Sequence, residues 1–386
     1  MKFLYLVNKD LCRSDYLGVK YKIFGQINAF NAINEVSMHL LAIEDNYLVL
    51  RDDKLSIIFS TELKNNYLIK SKQIKKELSK FLQLYQYEFI YYRYAVGDFL
   101  MSSILRYAQK KYVFKLIVEV ATYPYVDEID KSFLSLLDKV SVNLLSQSIS
   151  FIVSYTIEEP IFGKRVVHIN NALDKEFVEA IKSKIFQSYA NAKQEIHFIG
   201  IGNLSKWHGY DRLIKSIAEY ANGVQKPDYK IVFNIVGQGK EFDYLVSLSK
   251  EYKIENNCIF HGFLEREEIV NLINFNSIGV SALANHRRGL SGDKSLKNRE
   301  YIAYGLPLIK AGLDYQLDEI YDGFINIDSN EEEFNLKEVL DSYQMLSGKD
   351  KLDFFIRNNK FAEKYLCWNS EVEKIIDVAN EVKNDG

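Results

Sequence analysis

The chain has 386 residues, 47% hydrophobic and 26% charged, a balance that fits two folded domains and excludes a disordered chain. Its 49 basic and 52 acidic residues leave a net charge of −3, without the basic excess that a nucleic-acid partner requires. Three widely spaced cysteines, Cys12, Cys258 and Cys367, exclude a disulfide framework and a zinc site, and no run approaches the ~20 apolar residues needed to span a bilayer.

The first half alternates apolar runs with amphipathic ones. Strands are predicted at Phe3 to Val7, Met38 to Ile43, Ile57 to Phe59, Phe89 to Tyr94, Val113 to Val120 and Phe151 to Tyr155. Helices are predicted at Leu17 to Ile33, Ile74 to Tyr85 and Ile129 to Leu145. A polar, helix-forming stretch from Asp174 to Glu195 reads as the link between domains. Beyond it come strands at Ile196 to Ile201, Lys230 to Val236, Cys258 to His261, Ile278 to Leu283 and Leu308 to Ala311. Helices alternate with them at Tyr210 to Tyr220, Glu241 to Tyr252, Glu267 to Phe275 and Ser295 to Tyr304. Lys351 to Val382 is helical without strands. This rhythm predicts an α/β protein of two Rossmann-like domains with parallel sheets. The domains are set at residues 1–180 and 190–350, with C-terminal helices over 351–386.

The segment Ser295-Leu296-Lys297-Asn298-Arg299-Glu300-Tyr301-Ile302-Ala303-Tyr304-Gly305-Leu306-Pro307 carries the most chemistry. A serine opens a helix after a loop holding Gly289 and Gly292, and free amides at a helix start suit a diphosphate. Glu300, about a turn further on, is placed to bind ribose hydroxyls or, equally, to sit in a local ion pair.

Glu300 to Pro307 resembles the Glu-Ala-x-Ala-x-Gly-x-Pro signature of the large retaining glycosyltransferase family numbered four, with Tyr301 in place of an alanine. Other pieces follow in that family's order. They are Gly202-Asn203-Leu204-Ser205-Lys206-Trp207-His208-Gly209-Tyr210-Asp211, Val236-Gly237-Gln238-Gly239 and Phe260-His261-Gly262-Phe263. Before the link, His168-Ile169-Asn170-Asn171-Ala172-Leu173-Asp174 is similar to a Pro-Asn-Gly-Val-Asp segment. Together the pieces are spread, in order, across about half the chain. The resemblance implies the GT-B fold, two Rossmann-like domains facing across a cleft, with a C-terminal helix crossing back. It implies a donor site built from Asn203, Lys206, His208, Gly237, Gly262, Phe263, Ser295, Leu296, Lys297 and Glu300.

Two departures stand out. The family's first glutamate, eight positions before the second, is Gly292 here, with Asp293 beside it as the candidate replacement. Its Arg and Lys, which clamp the diphosphate, are replaced by Asn203 and His208. The positive charge must then come from Lys297, Arg299, Lys206 or the pair Arg287-Arg288, with Lys297 favoured for its place at the helix start. Stretches reading Trp-His-Gly-Tyr-Asp-Arg-Leu-Ile and Leu-Lys-x-Arg-Glu-Tyr resemble a subset of the family, so the departures read as a subfamily variant.

In the first half, Gly18 in Gly18-Val19-Lys20-Tyr21-Lys22 is either a loop approaching the donor phosphate or a plain helix start. Glu119, charged within the apolar run Leu116 to Val120, is either the acceptor's base or the ion-pair partner of Arg93. The histidines show no metal spacing and no Asp-x-Asp occurs, so metal-independent chemistry with no cofactor is expected, the nucleoside diphosphate sugar being a co-substrate.

The resemblance implies retaining transfer of a hexose, with a UDP-sugar favoured, to a hydroxyl of a glycan, a lipid-linked glycan or a glycoprotein. The setting would be capsule, exopolysaccharide or glycoconjugate synthesis. The alternative is a catalytically inactive partner subunit. A phosphorylase would need a pyridoxal lysine that the sequence does not reveal. The short N-terminal apolar run is no signal peptide, so a cytoplasmic protein is expected, with at most peripheral contact at the inner face of the membrane.

Overall fold

The computed structural model describes residues 1–13, 16–121, 123, 133–156, 158–185, 195–223, 227–348 and 350–384. The chain divides into two compact units. The first holds residues 1–170 and 368–386, the second residues 171–367.

In the first unit the elements run β1 (Lys2–Asp10), α1 (Leu17–Asn31), β2 (Ser37–Glu44), β3 (Tyr47–Arg51), β4 (Ile57–Glu62), α2 (Tyr67–Tyr85), β5 (Phe89–Arg93), α3 (Phe99–Gln109), β6 (Lys115–Val120), α4 (Phe133–Ser146), β7 (Ile149–Ser154) and β8 (Val166–His168). The sheet order is β4-β3-β2-β1-β5-β6-β7-β8. It is parallel from β2 to β8, with β3 and β4 added antiparallel at one edge. Five successive residues of β1, Phe3 to Val7, are buried, as expected of a strand covered on both faces. The β2–β3 hairpin turns at Asp45-Asn46, both at positive φ, the backbone of a tight hairpin turn.

The second unit runs α5 (Lys175–Ile185), β9 (Glu195–Ile201), α6 (Tyr210–Asn222), β10 (Lys230–Val236), α7 (Phe242–Glu251), β11 (Cys258–Gly262), α8 (Arg266–Leu272), β12 (Ser277–Val280), β13 (Gly292–Asp293), α9 (Leu296–Ala303), β14 (Leu308–Ala311), β15 (Leu313–Asp314), β16 (Phe324–Ile327), α10 (Leu336–Ser347) and α11 (Lys351–Tyr365). Its sheet is wholly parallel, in the order β11-β10-β9-β12-β14-β16. That is the doubly wound order 3-2-1-4-5-6, whose direction reverses between β9 and β12. Ligands of such sheets bind at the carboxyl ends of the strands beside that reversal.

The domain limits differ from those expected. The chain leaves the first unit at residue 170, ahead of the expected link, because Leu173 already belongs to the second. Its amide bonds to the Leu366 carbonyl at 2.7 Å. The C-terminal helices do not act together either. Helix α11 stays on the second unit, with Phe355 against Gly305 and Asn359 Nδ2 donating to the Ala303 carbonyl at 2.9 Å. Only α12 (Trp368–Asn384) belongs to the first unit, where it packs on α1 and Glu371 accepts from the Asn170 amide at 3.0 Å. The helix expected over Ile129 to Leu145 is described from Phe133 onward, and its first residues lie outside the described ones.

Candidate functional site

The loops leaving β9, β10 and β11 are laced by main-chain hydrogen bonds. Gly202 N donates to Val236 O at 3.0 Å, Gly237 N to Gly262 O at 2.6 Å, and Leu204 N to Gln238 O at 2.7 Å. A Cβ on Gly237 would lie 1.9 Å from the Gly202 carbonyl oxygen. Gly237 is therefore glycine because two backbones touch there. Its neighbours in the expected donor set behave differently. Asn203 and Phe263 are exposed at the rim. Gly262 has a positive φ of 70°.

After the β9 loop, Lys206-Trp207-His208 forms a single 3-10 turn. The Ser205 amide donates to His208 Nδ1 at 3.1 Å, which fixes the tautomer with hydrogen on Nε2. The imidazole stacks on Tyr210 with ring centres 5.4 Å apart. Burial, with the nearby charges of Lys297 and Arg288, holds its pKa well below the usual histidine value. His208 is thus a neutral N–H donor, not a cation. Lys206 is exposed.

Most of the other candidate cations are already neutralised. Arg287 grips Asp211 with two bonds of 2.8 Å and also binds Glu331. Arg299 is fully buried and bound to both oxygens of Asp314. Arg288 bonds Asp293 Oδ2 at 2.7 Å, while Asp293 Oδ1 accepts from the Ser295 amide at 3.1 Å. Asp293 is therefore bonded to the residue that precedes α9 and pairs with Arg288. The Ser295 hydroxyl makes no cap bond. Leu296 and Lys297 are half-buried in the first turn of α9, whose leading amides have no intrahelical acceptor.

Lys297 is different. Its Nζ is buried and has no hydrogen-bond partner among the described residues. It lies 5.7 Å from the Tyr210 ring centre, on the aromatic that also carries His208. Burial lowers its pKa to about 7, with Asp293 pulling up and Arg288 pushing down. An unpaired buried ammonium, an imidazole N–H, Arg288 and a helix start thus share one place. This set of donors fits an anion carrying several oxygens.

Glu300 lies three residues beyond Lys297 and accepts from Arg266 at 2.6 Å through Oε1. Arg266, at the start of α8, went unnoticed in the sequence because nothing in its spacing ties it to α9. Tyr301, in place of the expected alanine, fits because the chain is glycine at 279. A Cβ there would lie 2.6 Å from the Tyr301 ring. The phenol accepts from Ile201 N at 2.9 Å and donates to Val280 O at 3.2 Å, joining the ends of β9 and β12.

The first-unit candidates resolve otherwise. Glu119 is fully buried. One oxygen pairs with Arg93, and the other accepts from Tyr91 at 2.7 Å, Gln26 at 3.1 Å and Tyr5 at 3.2 Å. A carboxylate so enclosed cannot reach an acceptor hydroxyl, so the ion-pair reading of Glu119 replaces that of a base. Gly18 is exposed in the first turn of α1, with nothing within 4 Å of where a Cβ would be. Of the segment Thr122 to Tyr125, which follows Glu119 beyond the end of β6, only Tyr123 is among the described residues. Asp10, Cys12 and Asp45 bring possible ligand atoms together, but both oxygens of Asp10 already accept from backbone amides at the β2–β3 turn and at Cys12.

A family model described as "Glycosyl transferases group 1" matches residues 181–344. Comparison with curated proteins returns no match. Among solved structures, the chain is similar to a glycosyltransferase from Rickettsia africae ESF-5, with TM-score 0.64 and 11% identity over 100% of this chain and 99% of that one. It is similar to Anabaena HepE in complex with UDP, with TM-score 0.64 and 13% identity over 99% and 100%. It is also similar to sucrose-phosphate synthase from Thermosynechococcus elongatus, with TM-score 0.62 and 11% identity over 100% of both. The fold is that of the GT-B glycosyltransferases.

Proposed function

We propose that this protein is a retaining, metal-independent glycosyltransferase that moves a hexose from a nucleoside diphosphate sugar, favouring UDP, to a glycan hydroxyl in capsule, exopolysaccharide or glycoconjugate synthesis. The observation that carries this reading is the Lys297 Nζ at the start of α9, without a hydrogen-bond partner among the described residues and beside the Tyr210 ring on which His208 stacks. Both stand at the sheet reversal, where a nucleotide is expected. The match of residues 181–344 to the group 1 transferases supports it, as does the fold shared with a UDP-bound protein.

In this reading the α9 amides and Lys297 receive the diphosphate, and His208 donates to it without carrying charge. Charge that builds on the leaving phosphate meets donors already in place, so little reorganisation is needed as the glycosidic bond breaks. The departing phosphate takes the proton of the incoming hydroxyl, and no protein nucleophile is required. Glu300, steadied through Oε1 by Arg266, offers Oε2 to the ribose hydroxyls.

Lys297→Met tests the site. UDP affinity, measured by calorimetry, is expected to fall about 10- to 100-fold, the worth of a charge-assisted bond, with the melting temperature kept. Slow hydrolysis of the donor should fall alongside. Unchanged affinity would put the diphosphate elsewhere. The second reading, an inactive partner subunit, is favoured by Gly292 standing where the family has a catalytic-site glutamate. It requires UDP binding without turnover of any sugar nucleotide.

A further inference from the structure

Buried phenols from two helices meet on the last residue of β9, beneath the candidate donor site. Gly209, at a φ of 64°, ends the 3-10 turn and precedes α6, so Tyr210 is the first residue of that helix. Its ring lies on the backbone of β9, where a Cβ on Gly200 would be 2.7 Å from it. It meets Phe233 of β10 edge-on, with ring centres 5.4 Å apart. The Tyr210 hydroxyl donates to the Ile201 carbonyl at 3.3 Å, and the Tyr301 hydroxyl accepts from the Ile201 amide at 2.9 Å. Both main-chain polar groups of Ile201 are thus held by tyrosines, one from α6 and one from α9. Tyr301 stands four residues after Lys297, so the two share a face of α9, and the grip on Ile201 sets Lys297 against Tyr210.

The Lys297 Nζ is 5.7 Å from the Tyr210 ring centre and has no hydrogen-bond partner among the described residues. The charged groups facing it are Arg288 and Asp293, which pair with each other. The neutral His208 stacks on the same ring. An ammonium taken out of water is stabilised by the negative face of an aromatic ring within about 6 Å, and more strongly the drier the site. The ring takes up none of the ammonium's N–H donors, so they stay available to a ligand. A carboxylate in the same place would take the cation for itself, as Asp314 takes Arg299.

We propose that Tyr210 is a positioning residue of the donor site, its ring holding the Lys297 ammonium charged and open to the diphosphate. This rests on the transferase reading only for the identity of the ligand; the hold of Tyr210 on Lys297 exists without it.

The test compares Tyr210→Phe with the same chain carrying 3,4,5-trifluorophenylalanine at position 210. The two rings have nearly one shape, but fluorine withdraws the negative charge from the ring face, so packing is kept while the hold on a cation is lost. In the unliganded protein, NMR of lysine Cε follows the titration of Lys297, whose signal is the one missing in Lys297→Met. The native midpoint is expected at about 7. Tyr210→Phe should titrate near it, and the fluorinated ring should lower it by roughly 0.5 to 1 pH unit. UDP affinity, measured by calorimetry and compared between the two rings, should be nearly equal at about pH 5.5. At about pH 8 it should be about three- to tenfold weaker with the fluorinated ring. Thermal melting confirms that both variants are folded. A ring that served packing alone would give equal midpoints and an affinity ratio that does not change with pH, and either result overturns the proposal. If the midpoints separate as expected but the native protein binds no UDP, the nucleotide reading fails and the hold of Tyr210 on Lys297 stands.

Discussion

At the residue scale the candidate site depends on one cation, Lys297, that has no hydrogen-bond partner among the described residues. Arg287 and Arg299 were alternatives to Lys297 in the sequence, and the structure gives both of them carboxylate partners. Lys297 keeps its charge only at a cost, because its Nζ is buried and unbonded. This has a consequence for pH. The unfolded lysine holds its proton to about 10.4, whereas the folded one releases it at about 7. Between those values the unfolded chain binds more protons, so the contribution of Lys297 to stability rises with pH. A bound diphosphate reverses the preference and draws a proton onto Nζ. UDP affinity should therefore fall as pH rises above about 7, by at most about tenfold per pH unit, with proton uptake on binding. Calorimetry in buffers of different ionisation enthalpy measures that uptake. His208 contributes nothing to it, being held neutral well below this range. Constant affinity with no proton uptake would mean that Lys297 does not meet the diphosphate. Glu119 shows the reverse case. A glutamate in an apolar run signals a buried charge, but whether that charge faces a substrate or Arg93 depends on side chains from β1, α1 and β5 that the local sequence does not name.

At the element scale, regular alternation in the second unit was legible because each buried strand is short, apolar and followed by glycine or a cap. The first unit was harder to read. Strand β3 escaped notice because its turn, Asp45-Asn46, lacks the glycine that usually marks a tight hairpin. Helix α2 was expected to begin at Ile74, seven residues late, because its first turn does not follow the buried face: Tyr67, Leu68 and Ile69 point outward. Helix α3 was missed although Asp98 caps it, its carboxylate accepting from Met101 N at 3.0 Å. The glycine motifs could be located from the sequence, but not explained. At Gly237 the reason is contact between two loops, and it can be tested. Gly237→Ala would force a Cβ to within 1.9 Å of the Gly202 oxygen at a φ of 121°. It should destabilise the second unit by about 3 kcal/mol or more, read from urea unfolding. A native-like midpoint would show that the loops can part freely.

At the scale of the whole molecule, the chain passes once into the second unit and returns for its last helix. Trp368, Val372, Ile375 and Ala379 on α12 are buried in the first unit. A chain ending at Cys367 should lose on the order of 10 kcal/mol there, the sum of several large buried side chains, which is enough to unfold a domain of ordinary stability. Calorimetry should show the transition of the second unit nearly unchanged and that of the first abolished. Two intact transitions would mean that α12 is dispensable. The sequence by itself determined the α/β class, the presence of two units and the strand–helix order of the second, and it singled out Lys297 as a candidate. These follow from local periodicity and from residue types a few positions apart, which strand and helix geometry dictate. Only the tertiary structure decided which cations are neutralised, that Glu119 is enclosed, that α11 and α12 serve different units, and that the outer face of α2 is left uncovered. Each of those depends on residues far apart in the chain being brought within a few ångströms, and spacing along the sequence carries no record of that.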